Sequence, residues 1–157
     1  MPTLTFLMQQ AGATQKFASG IHLFDSDFQQ EDHATGISVV VPLFNEEAVL
    51  PQFHFRLLRV MDGLASDYEI IYVDDGSRDA TVERVMSAID RLPVTLVQLS
   101  RNFGKEVAIA AGLDEARGRG VVIMDADLQH PPEAIALFIE KWRQGYKNVY
   151  GVRQDRS

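Results

Sequence analysis

From Ile37 onward, the hydrophobic positions alternate between two periods. Short β-branched runs at 37–41, 69–73, 94–99, 121–124 and 148–152 predict strands. Between them, apolar residues recur at helical spacing. Val49, Phe53, Leu57, Val60, Met61 and Leu64 share one helix face; Val82, Val85, Met86 and Ile89 share a second. Ile135, Phe138, Ile139 and Trp142 share another, with Trp142 read as a core residue. The Ala-rich stretch 106–116 predicts one more helix, stopped at Gly118. Pro51 suits a first helical turn, where its missing N–H has no intrahelical partner to lose. Strand and helix in alternation predict right-handed βαβ units: an α/β chain with a mostly parallel sheet and helices on both faces. Ligands of such sheets bind outside the carboxyl ends of the strands.

Residues 1–36 break the rhythm. Lys16 stands there against Asp25, Asp27, Glu31 and Asp32, giving −3 of the chain's −7, among scattered Gly, Gln and Ser. This composition reads as an extension, poorly ordered or loosely docked, ahead of a domain spanning 37–157. Phe17, Ile21, Leu23, Phe24 and Phe28 offer a short docking helix as the alternative. The whole chain has 157 residues, 46% of them hydrophobic and 24% charged, which suits one globular domain. Twenty-two acidic residues against 15 basic argue against a nucleic-acid binder and require any phosphate to be held by local features. The absence of cysteine excludes disulfides, thiol catalysis and Cys-ligated zinc. The longest apolar stretch, 37–44, is interrupted by Ser38 and Pro42 and falls far short of the about 20 residues a spanning helix needs. The apolar cluster 4–8 has no basic residue before it and no cleavage site after it, so no secretory signal is expected.

The strand ends carry the chemistry. The first ends in Pro42-Leu43-Phe44-Asn45-Glu46-Glu47: Pro42 is expected to stop the ladder, Phe44 offers a face for ring stacking, and Asn45 can cap the next helix. The second ends in Asp74-Asp75-Gly76-Ser77-Arg78-Asp79. Two carboxylates closing a buried strand need a ligand or backbone donors; Asp75 can accept from a nucleobase edge, while Asp79 or Ser77 caps the following helix. After the third, Arg101-Asn102-Phe103-Gly104-Lys105 places two cations, an amide and a glycine at a helix start, a setting for phosphate. The fourth runs into Asp125-Ala126-Asp127-Leu128-Gln129-His130-Pro131-Pro132. Residues two apart in extended backbone share a side, so Asp125 and Asp127 can present two carboxylates to Mg2+ or Mn2+. His130 reads as a ligand, a cap or a surface residue.

Together these four motifs resemble the family 2 glycosyltransferases of the GT-A fold, the Rossmann-like nucleotide-diphospho-sugar transferases. The likeness runs from about Ile37 to the end of the chain. Within that family it is greatest to the polyprenyl-phosphate branch, with bactoprenol glucosyltransferases and dolichol-phosphate mannose synthases nearest. The resemblance implies that Pro42, Phe44, Glu46 and Asp75 line the nucleotide pocket, with Asp75 reading the base and Arg101 and Lys105 near the donor. It implies a metal held by Asp125, Asp127 and Gln129. Phe44 replaces the tyrosine common in the family, keeping stacking and losing a hydroxyl contact. The implied reaction moves a sugar from a nucleoside diphosphate sugar, UDP favoured, to a polyprenyl phosphate with inversion. In relatives, a further acidic residue near the acceptor and membrane-associated helices follow the equivalent of Arg153, so the catalytic acid is expected beyond Ser157 and the fold is expected as its donor-binding part only. Arg153 and Arg156 are candidates for the acceptor phosphate. The implied setting is the cytoplasm, or the cytoplasmic face of the inner membrane in full-length relatives; a homo-oligomer is compatible with it. The alternative is a truncated nucleotide-binding module without transfer. A phosphatase or nucleotidyltransferase using Asp125 and Asp127 is disfavoured, because neither the phosphatase loop after the first strand nor a Gly-rich opening loop is present.

Overall fold

A computed structural model describes residues 4–7, 36–64, 67–89 and 93–151. In chain order it contains strand β1 (Leu4–Leu7), strand β2 (Ile37–Leu43), helix α1 (Leu50–Leu64), strand β3 (Tyr68–Asp74) and helix α2 (Thr81–Ile89). Strand β4 (Val94–Gln98), helix α3 (Lys105–Glu115), strand β5 (Gly120–Ile123), a 3-10 turn (Pro132–Ala134), helix α4 (Ile135–Arg143) and strand β6 (Val149–Gly151) complete it. One sheet has the order β4-β3-β2-β5-β1-β6. Its four adjacent βα strands, β2 to β5, are parallel, in register from Ile37 opposite Tyr68 on one side and Gly120 on the other. The expected mostly parallel α/β sheet is present.

The β-branched runs alternate faces as their period of two requires. Ile37, Val39, Val41 and Leu43 of β2, with Ile70 and Tyr72 of β3, form the larger core with Phe53, Leu57 and Met61 of α1, Val85 of α2 and Phe138 and Ile139 of α4. Val40, Ile71, Val73, Val121 and Ile123 face the other way and pack under α3 with Ala108. Helices thus cover both faces, three against one. Each large side chain withdrawn into the first core, such as Phe53 or Leu57, contributes about 1.5–3 kcal/mol. Trp142 packs against the same core, as its helical spacing predicted.

Three local readings change. Pro42 does not stop the ladder: β2 continues through it to Leu43, opposite Asp74. The Val40 carbonyl accepts from Met124 N, so Pro42, two residues on, turns its missing N–H toward the β5 side, where pairing has already ended at Ile123. Gly118 is needed for a close approach rather than as a helix stop, since a Cβ there would lie 2.6 Å from Ser38 N. Gly118 N and the Glu69 carboxylate meet on the Ser38 hydroxyl, which accepts from the first at 2.8 Å and donates to the second at 2.6 Å. Finally, no strand was expected before Ile37, yet Leu4–Leu7 lies antiparallel between β5 and β6, with Phe6 opposite both Val122 and Val149. The docking helix considered for Phe17, Ile21, Leu23, Phe24 and Phe28 falls outside the described residues, as does Val152 of the last expected strand.

Candidate active site

Four loops leave the carboxyl ends of the parallel strands, and three of them are tied together by side-chain to backbone hydrogen bonds. In the first, Asn45 stands at φ 55, donates its N–H to Ser77 Oγ at 2.9 Å and accepts from Arg78 N through Oδ1 at 2.9 Å. Asn45 therefore binds the next loop rather than capping α1. Glu46 N donates to Thr81 Oγ1 at 2.8 Å, and Glu47 accepts from Ala80 N at 2.8 Å. Asp79 caps α2 as expected, its Oδ1 taking Thr81 N at 3.1 Å and the Thr81 hydroxyl at 2.6 Å. Burial pushes the Asp79 carboxyl up, but the hydrogen bonds from Thr81 and Glu47 outweigh it and hold it below its ordinary range.

The second and third loops are tied by Asp75. It is 4% exposed, and its two carboxylate oxygens accept Phe103 N at 2.7 Å and Gly104 N at 2.9 Å. Gly76, at φ 72, lies so close to this loop that a Cβ would come within 2.6 Å of the Arg101 carbonyl carbon. Asp74 is also buried and closes its own turn by accepting Ser77 N at 3.2 Å. The backbone donors demanded by two buried carboxylates are thus found within the fold. On the same loop, the Arg101 guanidinium stacks 4.8 Å from the centroid of the half-exposed Phe103 ring.

The fourth loop begins one residue earlier than the extended-backbone reading supposed. β5 ends at Ile123, so Asp125 and Asp127 lie in the following turn, on either side of the buried Ala126. Asp127 Oδ1 accepts Gln129 N at 2.9 Å across Leu128, which is held at φ 60. A branched residue in the left-handed region costs about 1 kcal/mol or more, and such strain concentrates where a loop is shaped for a task. The Lys105 ammonium, at the start of α3, lies 2.6 Å from Asp125. Burial raises the Glu46 carboxyl above its ordinary value, and the charges of Asp127, Asp125 and Asp79 raise it further. The charges of Asp125 and Asp127 thus reach Glu46, while the Lys105 ammonium is paired with Asp125.

Residues 38–157 match the family model for glycosyl transferase family 2. The chain belongs to glycosyl transferase family 2. Relatives of this family 2 domain include the glycosyltransferase YkcC of Bacillus subtilis, 49% identical over 76% of this chain and 38% of YkcC. The undecaprenyl-phosphate 4-deoxy-4-formamido-L-arabinose transferase of Pseudomonas paraeruginosa is 43% identical over 76% of this chain and 36% of its own length. The prophage bactoprenol glucosyl transferase homolog of Escherichia coli K12 is 46% identical over 77% and 40%. The chain thus spans about two fifths of these proteins or less. Among solved structures, glucosyl-3-phosphoglycerate synthase of Mycobacterium tuberculosis, with Mn2+, UDP and glucosyl-3-phosphoglycerate, has a TM-score of 0.56 at 26% identity, covering 69% of this chain and 39% of that one. A Pyrobaculum calidifontis mannosyltransferase with GDP-Man and Mn2+ has the same score at 28% identity, covering 69% and 32%. These neighbours are GT-A glycosyltransferases, which makes the expected fold the observed one.

The family 2 domain brings together most of the residues singled out in its sequence. Pro42 and the 43%-exposed Phe44 lie where β2 leaves the sheet; Glu46, Lys105, Asp125 and Asp127 converge; Gln129 is exposed beside Asp127. Arg153 and Arg156 lie outside the described residues. His130 keeps its Nε2 shielded from solvent without a partner. Sequence reasoning missed Thr81, Glu47 and the bridging use of Ser77; the signal was hydroxyl and carboxyl residues at every second position from 77 to 81. Among the described residues, no three His, Asp or Glu side chains are gathered into a cage for a cation. Two hard carboxylates with unbalanced charge still fit Mg2+ or Mn2+, which take one or two protein carboxylates and complete their shell with water and phosphate oxygens. No helix among the described residues is long and apolar enough to cross a membrane.

Proposed function

We propose that this chain is the donor-binding part of a glycosyltransferase that takes a sugar from a nucleoside diphosphate sugar, UDP favoured, and passes it with inversion to a polyprenyl phosphate at the cytoplasmic face of a membrane. The observation that carries this reading is the convergence of Glu46, Asp125 and Asp127 with Lys105 at the carboxyl ends of the strands. The lipid acceptor is supported by the names of the undecaprenyl-phosphate and bactoprenol relatives.

Each side chain then has a task. Phe44 offers its exposed face to the base, and Asp75, already clamping the 101–104 turn, sets the floor of the pocket. Asp125 and Asp127, with Gln129 beside them, would hold Mg2+ or Mn2+. The bound cation would offset the charge that develops on the departing nucleoside diphosphate. Arg101 and Lys105 add positive charge on the same side, against the acidic balance of the whole chain. The acceptor phosphate is an anion and needs less base assistance than a sugar hydroxyl. Arg153 and Arg156 would begin its site.

Calorimetric titration with UDP and GDP, with and without Mn2+, tests this reading. Metal-dependent binding of one nucleotide, lost in Asp127→Ala, is the expected result; binding indifferent to metal and to that substitution would sink it. Sugar turnover with polyprenyl phosphate separates the transferase from a chain that only holds nucleotide.

A further inference from the structure

The Lys105 Nζ lies 2.6 Å from Asp125 Oδ1 and 2.6 Å from Asp125 Oδ2, so the ammonium engages both oxygens. Lys105 is the first residue of α3, and the turn that carries it is fixed from below. Asp75 holds the two N–H groups before it, Gly104 adopts φ 101, and Gly76 is pressed against the Arg101–Asn102 peptide. The backbone of Lys105 therefore has a set position, while its four-carbon side chain, 47% exposed, has rotatable bonds enough to carry the ammonium to another partner. Asp125 is only 21% exposed on its side chain, and its charge and that of Asp127 both bear on Glu46. The Lys105 ammonium is thus spent on the carboxylate that a divalent ion would also need.

We infer that Lys105 and a divalent cation are mutually exclusive partners of the Asp125 carboxylate, so that cation binding at Asp125 and Asp127 releases the Lys105 ammonium for the donor's diphosphate. This rests on the metal-dependent donor reading above and deepens it. Both oxygens of Asp125 are occupied by the ammonium, and a second positive charge at the same oxygens would be repelled by it. Once displaced, the ammonium remains tethered at the N-terminus of α3, beside the cation, where an anionic ligand offers it a charge-assisted bond that water does not. Cation and nucleoside diphosphate then bind cooperatively, because the first frees a contact for the second.

Mn2+ binding to the 157-residue chain, followed by the electron paramagnetic resonance signal of free Mn2+, tests the exchange. Lys105→Met is expected to bind Mn2+ alone about three- to fivefold more tightly, the value of a partly exposed ion pair. With Mn2+ saturating, the same variant is expected to bind UDP several-fold more weakly. Lys105→Gln repeats both shifts with a polar side chain, and Lys105→Arg, which keeps the charge, binds Mn2+ no more tightly than wild type. A residue that merely supports the fold would move both affinities in the same direction. Unchanged or weaker Mn2+ binding in Lys105→Met, beside a wild type that binds, overturns the exchange and leaves the metal reading standing. A wild type that binds no Mn2+, with or without UDP, overturns both.

Discussion

Replacing Asp75 with Asn isolates the link between the second and third loops. Asn keeps the shape of the side chain but offers one acceptor and one NH2 where the carboxylate offers two acceptors. Whichever way the amide is turned, either Phe103 N or Gly104 N, now 2.7 and 2.9 Å from an oxygen, faces a donor. One charge-assisted bond, worth about 1.5–3 kcal/mol, is lost, and a shielded N–H is left unsatisfied at about 1–3 kcal/mol. A neutral amide is cheaper to bury than a carboxylate at a site that is 4% exposed, which returns part of that sum. The expected net loss is about 2–3 kcal/mol, a fall of about 1 M or more in the urea midpoint. Hydrogen exchange should show the Phe103 and Gly104 amides losing protection in the absence of any nucleotide. A stability change below about 0.5 kcal/mol with unaltered exchange at those two amides would refute the clamp. Loss of UDP affinity alone would assign Asp75 to base reading only.

Other positions give independent readings. Glu46→Gln should raise the melting temperature at pH 7 and have little effect at pH 4, by calorimetry: with its folded value raised above 4.5, ionised Glu46 costs stability as pH climbs through that window. His54 accepts or donates at Tyr72 OH over 2.7 Å and has its value lowered by burial, beside a cavity of about 240 Å³ lined by Leu50, Tyr72 and Val85 and away from the strand-end loops. The unfolded chain protonates this His near 6.5 and the folded chain resists, so stability should fall as pH drops below 6.5 and level off below the lowered value; His54→Gln should flatten that part of the denaturation profile. Gly112→Ala would put a Cβ 2.4 Å from Val40 Cγ1 and 3.0 Å from Val73 Cγ2. Overpacking at about 1–3 kcal/mol outweighs the helix propensity gained, and urea unfolding should show a net loss of about 1–2 kcal/mol.

Much of this was legible because the core enforces it. The nearly unbroken apolar runs in 37–41 and 69–73 report burial on both faces of a sheet, and the spacing of Phe53, Leu57 and Met61 reports one buried helix face. The carboxyl-end rule then located Asp75, Lys105, Asp125 and Asp127 without any knowledge of side-chain geometry. What escaped the sequence depends on partners distant along the chain. Pro42 within a strand is acceptable only because β5 ends opposite it. Asn45 gives its side-chain oxygen to Arg78 N, 33 residues away, rather than to its own helix. The strand at Leu4–Leu7 is a run of four residues with neither period nor flanking turn signal, and its pairing with β5 and β6 is a property of the sheet.

The hydrogen bonds that run from Asn45, Glu46 and Glu47 to residues 77–81, and from Asp75 to Phe103 and Gly104, make three loops a single inheritable part. A side chain changed in one loop is answered by a backbone group in another. Transplanting the donor preference of a relative one loop at a time would therefore break pairs on both sides of each graft. The exchangeable module is the trio, residues 44–47, 74–81 and 99–105 moved together, with Leu43 and Asp125 kept to receive Asp75 N and Lys105.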